Sequence, residues 1–143
     1  EKVKRYVLLM NSMKAPIFSF EKLKVWQKVR SFHREVFRLT TSFPYEQNYA
    51  LIPQIRRAAL SVPSNISEGA GRLGSKEFVH FISIAYGSLM ETMNQLILAD
   101  DMGYVPEEMM VKLRLDVAEI ARMLTALKKK VECGASKGDL MDF

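Results

Sequence analysis

From Glu21 onward, Val25, Val29, Phe32, Val36, Leu39 and Phe43 recur at alternating spacings of four and three. That rhythm puts them on one helical stripe and predicts a first helix running to about Ser42. Pro44 closes it, and Pro53 suits the first turn of a second helix, where a missing N–H has no partner to lose. Ile55, Ala59, Val62 and Ile66 form the inward stripe of this second helix, with Gly69, Gly71 and Gly74 as stop signals around its end. Pro63 lies inside the span and predicts a kink or a freed Ala59 carbonyl. Ser75 and Glu77 mark a third start, and Phe78, Ile82, Ala85, Leu89, Met93 and Leu96 carry that helix to about Asp101, before Gly103. Pro106 opens a last helix, whose Glu107 and Glu108 complement the positive end of the helix dipole. Leu113, Val117, Ile120, Leu124, Leu127 and Val131 form its seam, and Lys128, Lys129 and Lys130 suit its negative end.

Amphipathic helices with short connections cannot hide their apolar stripes singly. The economical arrangement is an all-α, antiparallel up-down-up-down four-helix bundle over residues 18–132. Residues 1–17 are expected to be an N-terminal extension, from an upstream start or a cloning remnant, because Met10 and Met13 come only just before the patterned region. The run from Tyr6 to Met10 is too short to span a membrane or to form a signal core, so neither export nor a membrane partner is expected. Residues 133–143, including Gly134-Ala135-Ser136-Lys137-Gly138-Asp139, lack periodicity and are expected to form a flexible C-terminal tail.

A chain of 143 residues fits one domain with a single core. Its formal net charge of +5 and pI of about 9.4 make RNA, DNA or an anionic surface electrostatically welcome without specifying any of them. The lone cysteine, Cys133, excludes an intrachain disulfide framework or a multi-cysteine zinc site and suits a reducing cytoplasm. Charge also has a place in the pattern: Arg30, Arg34 and Arg38 stack at i, i+4 and i+8 opposite the first apolar stripe, beside Gln27. Such a row is either a solvated face or a partner-binding one.

Candidate chemistry is sparse. Glu77-Phe78-Val79-His80 has the E-x-x-H spacing used in di-iron bundles, but the second copy is missing, and His80 points about 200° from the Phe78 stripe. The only other histidine, His33, follows Arg30 by three positions. No metal or cofactor is expected. Gly69-Ala70-Gly71-Arg72-Leu73-Gly74 resembles a phosphate loop only superficially, since a helix precedes it and no lysine follows in register. It reads as a turn, with Arg72 and Lys76 available to an anion at the next helix N-terminus. Without a converging set of nucleophile, base and orienting group, no catalytic activity is expected.

Helix two carries a second pattern. Arg57, Ser61, Ser64 and Glu68 follow i, i+4, i+7 and i+11, opposite the apolar stripe. Serines between opposite charges allow another backbone to approach closely, where a plain solvent face favours long side chains of better helix propensity. Helix three places Gly87 and Glu91 beside Ile84 and Leu98, away from its main stripe. Two such faces predict a subunit contact, with plain solvent exposure as the alternative.

Gln54-Ile55-Arg56-Arg57-Ala58-Ala59, Ser61-Val62-Pro63-Ser64-Asn65-Ile66-Ser67-Glu68-Gly69 and Gly71-Arg72 together resemble the signature of the bacterial proteins encoded in 23S rRNA intervening sequences. Phe20 to Gln27 resembles that family's opening, Phe43-Pro44 through Glu46 its first turn, and Ala85-Tyr86-Gly87-Ser88-Leu89-Met90-Glu91 its third-helix motif, so the likeness covers about residues 18–131. Ser67 stands where alanine is common, and Ile52-Pro53 replaces a threonine-type helix start; both departures bear on local capping. The resemblance implies a helical bundle that assembles as a homo-oligomeric ring such as a pentamer, without known catalysis. A related branch comprises accessory proteins of diversity-generating retroelements, which associate with a reverse transcriptase and nucleic acid. By that analogy Arg30, Arg34, Arg38, Arg56, Arg57, Arg72 and Lys76 are the nucleic-acid candidates, and Asn65, Glu68 and Glu91 are structural or interfacial. A noncatalytic RNA-associated oligomer and a protein-interaction module both remain open.

Overall fold

The computed structural model describes residues 1–143 and is all-helical, with no strand. Helix α1 spans Lys2–Met13, α2 Lys24–Thr41, α3 Leu51–Ala70, α4 Ser75–Asp101 and α5 Glu107–Glu132. Short 3-10 turns occupy Ser19–Lys22, Tyr45–Tyr49 and Lys137–Asp142. Packing follows a closed circuit in which α2 lies on α3, α3 on α4, α4 on α5 and α5 back on α2. Every residue of the four expected apolar stripes is buried in one continuous core, because helical spacing turns them all toward the same interior.

Helix α3 continues through Pro63 to Ala70, and the three glycines lie around its end, with Gly69 inside the last turn. Gly69 is buried because α4 comes close: a Cβ added there would stand 2.6 Å from Phe81 Cβ and 2.9 Å from Phe78 Cδ2. This glycine serves helix contact, whereas Gly71 caps the helix with its N–H bonded back to Ser67 and Glu68 carbonyls.

The aperiodic C-terminal residues 133–143, expected as a flexible tail, fold back as a docked turn. Ser136 and Asp139 cap it reciprocally, and Leu140 is buried. Lys137 Nζ donates to the Ala70 carbonyl at 2.9 Å, and the Phe143 carbonyl accepts from the Val25 N–H at 2.7 Å. The turn thereby satisfies one end each of α3 and α2, a tertiary service that leaves no periodic trace in sequence. At the other terminus, residues 2–13 of the expected extension are helical, yet α1 buries none of its side chains.

Outside the shared apolar core, ion pairs join α2 to α5. Lys28 reaches Asp116 at 3.0 Å and Glu119 at 3.1 Å, while Lys112 bonds Asp116 at 2.9 Å and Glu35 at 2.6 Å. The order of partners shows the two helices running in opposite senses. Burial would push the Asp116 carboxyl up, but hydrogen bonds from Lys112 and Lys28 outweigh it and hold the group below its ordinary value. Hydrogen bonding to Asp116 raises Lys28, and hydrogen bonding to Glu35 raises Lys112.

Two outcomes follow for stability. Gly69→Ala gains helix propensity but overpacks against the phenylalanines, a conflict expected to cost about 1–2 kcal/mol net and to lower the urea midpoint without changing the slope. Asp116→Asn removes charged hydrogen bonds and should cost on the order of 2 kcal/mol near neutral pH. Because the folded carboxyl is depressed, its contribution is full above 3.8 and lost as pH falls through the folded value. Urea unfolding of the two proteins should therefore converge as pH drops below 3.8.

Candidate nucleic-acid and assembly interface

Helix α2 turns its apolar stripe inward, which leaves Arg30, Arg34 and Arg38 exposed on the outside. Arg34 and Arg38 have no carboxylate partner, and the Arg30 guanidinium sits 5.5 Å from the centre of the Trp26 ring. The single acid of α2, Glu35, is drawn to Lys112 on α5 and does not neutralise the row.

The remaining basic candidates divide. Arg56 is held at the C-terminal end of α2: its Nε donates to Thr40 Oγ1 at 2.9 Å, and Nη2 to Thr41 Oγ1 at 3.2 Å and the Phe37 carbonyl at 3.4 Å. Its guanidinium lies 3.8 Å over the Phe37 ring. A cation there also complements the negative helix end. Arg57, its neighbour, is exposed and makes no ion pair. Arg72 pairs with Glu68 at 3.0 Å and lies 5.0 Å over Phe81, with Lys76 exposed in the same groove beside His80. The structure thus forms two basic regions, one on α2 with Arg56 and one at the α3–α4 turn.

The small polar candidates are brought together in a different sense. Ser61 and Ser88 share a hydrogen bond of 2.8 Å across α3 and α4. Asn65 Nδ2 donates to the Ser61 carbonyl at 2.8 Å and to its hydroxyl at 2.9 Å, while buried Thr92 donates to the Ser88 carbonyl at 2.7 Å. Ser61 and Asn65 therefore spend their polar groups on the seam inside one chain. Ser64 is exposed and satisfies its hydroxyl on the Leu60 carbonyl. Gly87 and Glu91 are exposed on α4, and a Cβ at Gly87 would meet nothing within 4 Å. Nearby, Gln95 Nε2 reaches Glu91 at 3.5 Å, and Gln95 Oε1 is buried without a partner.

Two features lie outside the sequence expectations. Ser88 and Thr92 looked like ordinary α4 positions, although their spacing from Leu89 and Leu96 places them beside the core stripe. Trp26 and Phe37 share a face with Arg30 at i, i+4 and i+11. His33 lies between them, half-buried, and burial pushes its imidazole below the ordinary value. No group of three or more His, Cys, Asp or Glu side chains is arranged to hold a metal ion, and no helix is long and apolar enough to cross a membrane.

No curated protein matches the chain. A solved structure of a protein with unknown function from the S23 ribosomal protein family of Bacteroides thetaiotaomicron is similar in fold, with a TM-score of 0.68 and 24% identity. The similarity covers 73% of this chain and 98% of the other. Residues 21–126 match the 23S rRNA-intervening sequence protein family. That span takes in α2, α3, α4 and most of α5. This chain belongs to the 23S rRNA-intervening sequence protein family.

Proposed function

We propose that this protein is a noncatalytic, cytoplasmic four-helix bundle of antiparallel up-down-up-down topology that binds RNA or another nucleic acid through the α2 face. The observation that carries the proposal is the row Arg30, Arg34 and Arg38, exposed and without a carboxylate partner. Like charges held in a row repel, and a polyanion relieves that repulsion while releasing its counterions. The reversed partner order between α2 and α5 supports the topology.

A second reading, assembly with itself or with a protein such as a reverse transcriptase, draws on Gly87. Glycine in an exposed mid-helix position costs about 1 kcal/mol relative to alanine, and nothing inside this chain needs the space. A homo-oligomeric ring such as a pentamer would use it for close approach, together with Arg57, Ser64 and Glu91 on neighbouring exposed turns.

Nucleic-acid binding is tested by mobility shift with structured rRNA fragments across a salt series. The variant carrying Arg30→Gln, Arg34→Gln and Arg38→Gln should bind more weakly and lose about 2–3 units from the slope of log affinity against log salt. Absence of any complex with the unaltered protein at low salt would remove the proposal. Light scattering tests assembly: Gly87→Ala should raise protomer stability by about 0.5–1 kcal/mol yet reduce oligomer mass. A protein that is monomeric at micromolar concentration before substitution would exclude the ring.

A further inference from the structure

Trp26, Arg30, His33 and Phe37 follow one another at i, i+4, i+7 and i+11, which makes a single stripe on α2. The stripe sets three flat rings beside one guanidinium. Arg30 lies 5.5 Å from the Trp26 ring centre, and the His33 and Phe37 rings are 6.3 Å apart. Arg56 closes the row from α3, stacked 3.8 Å over Phe37. Phe37 is 47% exposed, although burying such a ring in the core would be favourable.

The Arg56 plane is set before any ligand arrives. The Thr40 and Thr41 hydroxyls and the Phe37 carbonyl all accept from it, so little side-chain freedom is left to lose on binding. Neither carboxylate of α2 and α3 competes for this face. The one acid of α2, Glu35, is bonded to Lys112, and the one acid of α3, Glu68, is paired with Arg72.

A guanidinium fixed on a ring offers its outer face to a further planar group. Unpaired nucleobases supply that group and bring phosphates with them, whereas a duplex keeps its base faces inside its own stack. An acidic protein surface would satisfy the charges but leave the rings without a flat partner. We infer that the aromatic stripe from Trp26 to Phe37, closed by Arg56, is a stacking platform for unpaired bases of single-stranded nucleic acid. Its phosphates run along Arg34 and Arg38. This inference rests on the nucleic-acid reading above and narrows it to the single strand.

The test uses the full chain and four labelled oligonucleotides of equal length at one salt concentration: a mixed-sequence RNA strand, its duplex, the DNA strand of the same sequence, and an abasic strand that keeps only the phosphates. Anisotropy should show the RNA or DNA strand binding about tenfold or more tightly than the duplex or the abasic strand. A preference between the RNA and DNA strands identifies the sugar for which the platform is built. Trp26 is the only tryptophan, so its emission should be quenched by base-containing strands and not by the abasic one. Phe37→Leu should abolish the single-strand preference without changing the salt slope, and Phe37→Tyr should restore it. If Phe37→Leu fails to fold, the abasic comparison and Trp26 emission decide the question on the unaltered protein. Equal affinity for all strands with unchanged emission would overturn the platform while leaving phosphate binding intact. No complex with any strand would overturn both.

Discussion

The missing side chain at Gly69 is the constraint on which the arrangement of α3 and α4 depends. With Phe78 and Phe81 drawn against bare backbone, α3 and α4 meet closely beside a turn of only a few residues. That approach brings Ser61 within hydrogen-bond reach of Ser88 farther along the same seam. It also places Arg72 over Phe81. A bulkier residue would have to be accommodated by both helices, since tightly packed interiors do not absorb a methyl group locally.

Charge is sorted around α2 in a similar way. One flank of the helix faces α5, where Lys28 and Glu35 are matched by Asp116, Glu119 and Lys112. The other flank carries arginines and rings and has no acid of its own. Pairing on the first flank draws the only carboxylate of α2 away from the second. Stability and a persistent positive surface are therefore achieved by the same partition, and the surface does not need extreme net charge to attract a polyanion.

The helices were legible in sequence because burial imposes a period, and each expected stripe residue lies in the core. The ends were less so. Gly69 read as punctuation because glycine commonly stops helices, while its close contact with Phe78 and Phe81 depends on a neighbour that sequence spacing does not place. The docking of Leu140 escaped notice because one apolar residue has no periodicity. Among the candidate site residues, face membership was readable for Arg30, Arg34 and Arg38. The engagements of Arg56 with Thr40 and of Asn65 with Ser61 were not, because hydrogen-bond partners are chosen by the fold and not by residue type.

The bond from the Val25 amide to the Phe143 carbonyl joins positions far apart in the chain. A ribosome exposes α2 well before residue 143. During that interval the first turn of α2 lacks this acceptor, and the apolar ground that Leu140 will cover stays uncovered. Synthesis thus has a built-in delay: the arginine helix can form as soon as it emerges, but its seat is completed only when Leu140 and Phe143 have followed and returned to its beginning.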